Sequence, residues 1–204
     1  DTETQLDTLI VAMSDLDEYR VNDILMRSII NKGFEETFTE VVFPFLRRVG
    51  IMWHTGSVDI GSEHFVSNIF RKRLISAIDT LSPPERPDRK KFIMFLPESE
   101  LHEMGLLFFT YIIRKAGHSV LYLGQSTPFN GLKDLVERWH PDFLVTGALT
   151  SLPFGKPEDY LKRISSAFRD QTILVAGILA LLAGKMSLDN VIPFDSVNSL
   201  KKYL

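Results

Sequence analysis

The chain has 204 residues, enough for one large domain or two of about 80 to 120 residues each. With 45% hydrophobic and 24% charged residues it is composed like an ordinary globular protein, which excludes a disordered chain. It has no cysteine, so disulfides, thiolate metal sites and cysteine nucleophiles are excluded, and a net charge of -3 gives no general attraction to nucleic-acid phosphates.

The first residue is Asp1 rather than Met, which points to a piece of a longer protein with an N-terminal neighbour. Leu6, Leu9, Ile10 and Met13 then fall on one helical stripe. Residues 21–31 predict a second helix ending at Gly33, and residues 34–54 a long third one that bends where Pro44 removes a backbone donor. Val66, Ile69, Phe70, Leu74, Ala77, Ile78 and Leu81 make the stripe of a fourth. Four helices predict a bundle over residues 1–82. Pro83, Pro84 and Pro87 cannot continue a helix, so residues 83–90 are read as an extended linker.

Residues 91–204 change pattern. Short apolar runs at 92–96, 120–123, 143–146, 173–176 and 191–194 alternate with helical patterns at 106–116, 132–139 and 160–168. That alternation predicts a flavodoxin-like, doubly wound, five-stranded parallel sheet covered on both faces, with ligands beyond the carboxyl ends of its strands. No apolar run reaches 18 residues and no signal peptide is present, so a cytoplasmic protein without a membrane partner is expected. His118, at the opening of a strand, and His140, before Pro141, are expected to be solvated, and Lys201 and Lys202 to close a last helix.

The loop after the first strand carries the chemistry: Pro97-Glu98-Ser99-Glu100-Leu101-His102-Glu103-Met104-Gly105. A histidine two residues after a carboxylate can offer one ring nitrogen to a metal while the carboxylate holds the other ring N–H. Glu100 and His102 could form that pair, and Gly105 lets a ligand approach the backbone. Glu100-x-His102-x-x-Gly105 resembles the cobalamin-binding motif of methionine synthase, corrinoid methyltransferase proteins and adenosylcobalamin mutases, which usually has Asp in first place. The resemblance implies that His102 is the lower axial ligand of cobalt, Glu100 its hydrogen-bond acceptor and Gly105 the close-approach glycine. It also implies that the dimethylbenzimidazole tail of the cofactor enters between sheet and helices, past small residues at the ends of two further strands. Thr146-Gly147-Ala148 and Ala176-Gly177 stand at those places, where the family more often has Ser-x-Leu and Gly-Gly.

A second motif lies in the bundle. Trp53-His54 closes the third helix, and Glu63-His64 opens the fourth after nine intervening residues from the tryptophan. This spacing is similar to the signature of MerR-type cobalamin photoreceptors, in which the bundle caps the upper face of adenosylcobalamin. The resemblance implies that Trp53 packs against the adenosyl group, that Glu63 and His64 shape its surroundings, and that His54 can take up cobalt after photolysis. The function expected is therefore a non-enzymatic sensor: the cobalamin-binding part of a transcription regulator, a homo-oligomer that reaches DNA through a winged-helix domain N-terminal to this chain. Two alternatives share the fold, a corrinoid carrier protein of a methyltransferase system and a signalling domain without cobalamin.

Overall fold

The computed structural model describes residues 2–82, 86–149 and 156–204, apart from the side chain of His54. The chain divides into two units, Asp1–Ser76 and Ala77–Leu204.

The first unit is helical throughout its described residues. Helix α1 (Thr2–Ser14) buries Leu6, Leu9, Ala12 and Met13. Helix α2 (Glu18–Lys32) starts at Asp17, whose carboxylate accepts the Arg20 N–H at 2.9 Å, and ends at Gly33, where φ of 94° turns the chain. Across that turn Thr37 donates its hydroxyl proton to the Gly33 carbonyl at 2.7 Å, and the buried Ser28 hydroxyl lies 3.1 Å from the Thr37 hydroxyl oxygen.

The third rod is continuous, as α3 (Phe34–Thr37), a π turn (Phe38–Val42) and α4 (Phe43–His54). The π turn explains how Pro44 is housed. A proline ring collides with the carbonyl four residues back and donates no hydrogen bond; widening the preceding turn re-routes the ladder, and the Phe43 N–H reaches the Phe38 carbonyl. Helix α5 (Ile60–Asp79) begins at Asp59, which accepts the Ser62 N–H at 2.9 Å and its hydroxyl at 2.6 Å. Phe45 and Phe70 meet edge to face at 5.7 Å, and Leu25, Phe38, Val49 and Leu74 of the same unit are likewise buried.

The second unit contains β1 (Lys91–Phe95), α6 (Met104–Lys115), β2 (Ser119–Gly124), α7 (Phe129–Trp139), β3 (Phe143–Ala148), α8 (Pro157–Ala167), β4 (Thr172–Gly177), α9 (Ile178–Ala183), β5 (Val191–Pro193) and α10 (Val197–Lys201). All four strand pairings are parallel, in the order β2-β1-β3-β4-β5. The order reverses at β1 and β3, and such a switch point leaves a crevice beyond the carboxyl ends of the two strands. Side chains alternate across the sheet: Ile93, Phe95, Leu144, Ala148, Ile173 and Val175 share the face packed by α7 and α8. Thr146, between Leu144 and Ala148, points the same way by that alternation.

The short helix α9 was not expected as a separate element, whereas the expected last helix is present as α10, closed by Lys201. His118 corrects the reading of a solvated residue, since it is only 3% exposed. Residues 86–90 fold across it. Lys90 donates its N–H to Nδ1 at 3.2 Å, Nε2 stands 3.0 Å from the Arg86 guanidinium, and Phe92 lies 5.6 Å away, ring to ring. Burial, then the charges of Arg86 and Lys90, push its pKa below the ordinary histidine value, so it is held neutral. His140 is exposed, as expected. Pro83 and Pro84 of the expected linker lie outside the described residues.

Candidate functional site

The site grows from the crevice above β1. The chain leaves β1 through a turn in which the Glu100 N–H bonds the Pro97 carbonyl at 3.0 Å. Ser99 takes a left-handed conformation, φ of 67°, and its N–H is held by the Ser126 hydroxyl at 3.1 Å; Ser126, itself at φ of 47°, donates its N–H to the Glu100 carbonyl. Non-glycine residues in that region cost roughly 1 kcal/mol each. Two such residues gripping each other fix the loop after β1 to the loop after β2. Gln125 adds a bond from its side-chain amide to the Leu101 carbonyl at 2.6 Å.

This geometry turns Glu100 inward and His102 outward. Glu100 is 3% exposed, and its carboxylate gathers three donors. Oε1 accepts the His102 backbone N–H at 2.9 Å and lies 2.6 Å from His102 Nδ1, while Oε2 accepts the Leu149 N–H at 2.9 Å from the end of β3. Burial by itself would raise the Glu100 pKa. The His102 ring, the His102 N–H and the Leu149 N–H outweigh it and bring the value down to about 2. An ionised carboxylate only accepts, so Nδ1 is the protonated nitrogen and the lone pair of the imidazole sits on Nε2. The His102 side chain is 53% exposed. It is flanked by the similarly exposed Leu101 and Leu149, so the loops present one basic nitrogen amid apolar surface.

Such a site suits a metal that brings its other ligands with it. Among the described residues no group of three or more His, Asp or Glu side chains could hold a bare ion. A corrin-bound cobalt would need one nitrogen from the protein, and His102, with its tautomer fixed, would be the residue to supply it. Thr146 supplies an independent test of fit: its hydroxyl is buried with no hydrogen-bond partner, an orphan polar atom in the layer under α7 and α8. Both features fit cobalamin.

The remaining expected residues fall as follows. Gly147 pairs with Ala176, and Ala148 with Gly177, in the β3–β4 register. A methyl on Gly147 would meet the Ala176 Cβ at 3.3 Å, so the glycine leaves the room that Ala176 uses. Gly177 has φ of 64°, and a Cβ there would stand 2.2 Å from the Ala148 carbonyl oxygen. The sheet itself demands that glycine. Gly105 is different: a Cβ would meet only Phe109, at 4.0 Å, so no internal packing requires it.

In the helical unit, α4 ends at Trp53 and His54, and Trp53 is 46% exposed. Glu63 and His64 occupy the first turns of α5, with His64 Nδ1 2.7 Å from the Glu63 carboxylate. The side chain of His54 lies outside the described residues. Sequence reasoning missed Leu149, which contributes a backbone N–H and so leaves no residue-type signal, and Tyr160, whose place depends on tertiary packing.

A helical unit followed by this sheet, with an imidazole on the loop after the first strand, is the architecture of cobalamin-binding proteins of the flavodoxin-like class. Residues 5–76, in the helical unit, match the family described as B12 binding domain. The chain is 32% identical over 179 residues to the HTH-type transcriptional repressor CarH of Myxococcus xanthus, covering 87% of this chain and 59% of the relative. It is 29% identical over 128 residues to the HTH-type transcriptional repressor CarA of the same organism, covering 63% of this chain and 41% of that one. In fold it is similar to the monomethylamine corrinoid protein of Methanosarcina barkeri, with a TM-score of 0.74 at 11% identity, over 100% of this chain and 98% of that one. The resemblance to the cobalamin-binding region of MerR-type regulators, read from the motifs, is upheld by these matches. The chain spans 59% and 41% of the lengths of the two repressors. No described helix is long and apolar enough to cross a membrane.

Proposed function

We propose that this chain is the sensor part of a cytoplasmic transcription regulator, binding adenosylcobalamin with His102 as the lower ligand of cobalt. The observation that carries the reading is the Glu100–His102 pair: a buried carboxylate fixes the tautomer and aim of a solvent-facing imidazole at the switch point of the sheet. Likeness to two repressors supports a regulator over an enzyme. Glu100 holds the imidazole, Gly105 keeps the neighbouring helix start open, and Thr146, Gly147, Ala176 and Gly177 border the path of the cofactor's tail. Trp53, Glu63 and His64 are assigned to the upper ligand, where an exposed indole can report its presence, and His54 to cobalt after that ligand is lost. Adenosylcobalamin supplies a light-sensitive cobalt–carbon bond when bound. Loss of the upper ligand would then shift a packing equilibrium read out as a change of homo-oligomer. DNA would be bound by a separate winged-helix domain.

Sedimentation of the protein loaded with adenosylcobalamin, kept dark and then illuminated with green light, tests this. A change in oligomer size on illumination, lost in Trp53→Ala, is expected. An identical sedimentation profile in both states would remove light sensing.

A further inference from the structure

Below the loop that carries His102, a small open cleft with a volume of about 60 Å3 enters the layer between the sheet and helices α7 and α8. Phe95, Phe129 and Leu132 form its apolar walls, with Glu98 and Thr127 among its polar lining. Arg163 of α8 lies over the Phe129 ring at 3.8 Å, which keeps that wall flat and stiff. The apolar lining suits an aromatic ring, but the free space is well below the roughly 150 Å3 of a cavity that takes benzene, so a ring could enter only if a lining side chain moved.

Tyr160, one turn before Arg163 on α8, also lines this cleft. It packs against the core layer that contains Phe95, Phe129 and Ala148. The orphan hydroxyl of Thr146 belongs to that same layer but does not line the cleft. The Tyr160 phenol is the group that interacts with that hydroxyl, without a hydrogen bond of good geometry. Part of the tyrosine stays exposed at the cleft while its phenol lies deep enough that burial raises its ionisation well above the ordinary value. Tyr160 thus touches both the opening and the one unsatisfied buried side-chain atom among the described residues.

We propose that Tyr160 is a gate on this cleft: its ring occupies the place that a nucleotide base must take to reach Thr146, and it has to turn aside for a corrinoid with a base tail. This rests on the cobalamin reading above. Ala148, two residues after Thr146 on β3, belongs to the core layer against which the tyrosine packs. A gate that is closed most of the time lowers apparent affinity by the fraction open, for tailed corrinoids alone.

The test compares cobalamin with cobinamide, the corrinoid that lacks the nucleotide tail, on the unaltered chain and on Tyr160→Ala and Tyr160→Phe. Tyr160→Ala is expected to bind cobalamin about tenfold more tightly, the gain from a site about one tenth open. Tyr160→Phe, which keeps the ring, should behave as the parent, and all three should bind cobinamide equally. Stopped-flow mixing with the unaltered chain needs no variant: cobalamin uptake should saturate with concentration at an opening rate, while cobinamide uptake stays linear. Unchanged or weaker cobalamin binding by Tyr160→Ala, an equal change for both corrinoids, or linear uptake of both overturns the gate and leaves the cobalamin reading standing. Binding of neither corrinoid by the unaltered chain overturns both.

Discussion

At Glu100 three donors converge on one carboxylate that is almost wholly removed from solvent. Its pKa of about 2 lies below the ordinary 4.5, so the folded chain prefers the ionised form and the unfolded chain takes up the proton first. The resulting stabilisation is fully present above the unfolded value near 4.5 and is lost as pH falls through the folded value near 2. It amounts to on the order of 3 kcal/mol if the whole shift is converted. Urea melts of the second unit within the intact chain, run from pH 5 to pH 2, should therefore show stability falling across that window, and Glu100→Gln should flatten the fall. Glu100→Ala should cost about 2 to 4 kcal/mol at neutral pH, because it strands buried N–H groups. A Glu100→Gln chain that loses stability over the same range, by the same amount, would show that other carboxylates govern it.

The Glu100–His102 pair was legible in the sequence as a spacing, because a carboxylate two residues before a histidine after a short apolar strand is a local pattern. The third donor was not. Leu149 enters through its backbone, and only the pairing of β1 with β3 brings it to the carboxylate. His118 was misread for a related reason: its burial comes from residues 86–90 folding back over it, a long-range event with no trace in its neighbours.

Among the elements, the strands were readable because continuous apolar runs bounded by polar turns mark a sheet buried on both faces. The third helical rod was legible as one helix, but the π turn before Pro44 was not, since the sequence showed a missing donor and not how the ladder would absorb it. Two glycines that look alike in a motif have different physical standing. Gly177→Ala would place a methyl 2.2 Å from the Ala148 carbonyl at a φ of 64°, so strands β3 and β4 would have to part. A loss of several kcal/mol, or failure to fold, is expected in denaturant melts. Gly105→Ala meets nothing closer than Phe109 at 4.0 Å and sits inside α6, where alanine is favoured by about 1 kcal/mol. It should keep or raise stability while weakening cobalamin binding. A Gly105→Ala chain with unchanged cobalamin affinity would take Gly105 out of the site.

At the scale of the molecule, two units with different periodicities could be separated in the sequence because helical stripes give way to strand alternation near a proline-rich stretch. The sheet order could be expected only as a class, since periodicity fixes which segments are strands and leaves their neighbours open. The proposed sensor reading depends on cobalamin being held through His102. The most direct measurement is the visible spectrum of the chain and of His102→Ala, each incubated with adenosylcobalamin in the dark and desalted. The unaltered chain should retain colour with a spectrum displaced from that of the unbound cofactor, and His102→Ala should bind about 10- to 100-fold more weakly without the same displacement. Equal affinity and an identical spectrum in the two proteins would contradict the assignment of His102 as the ligand.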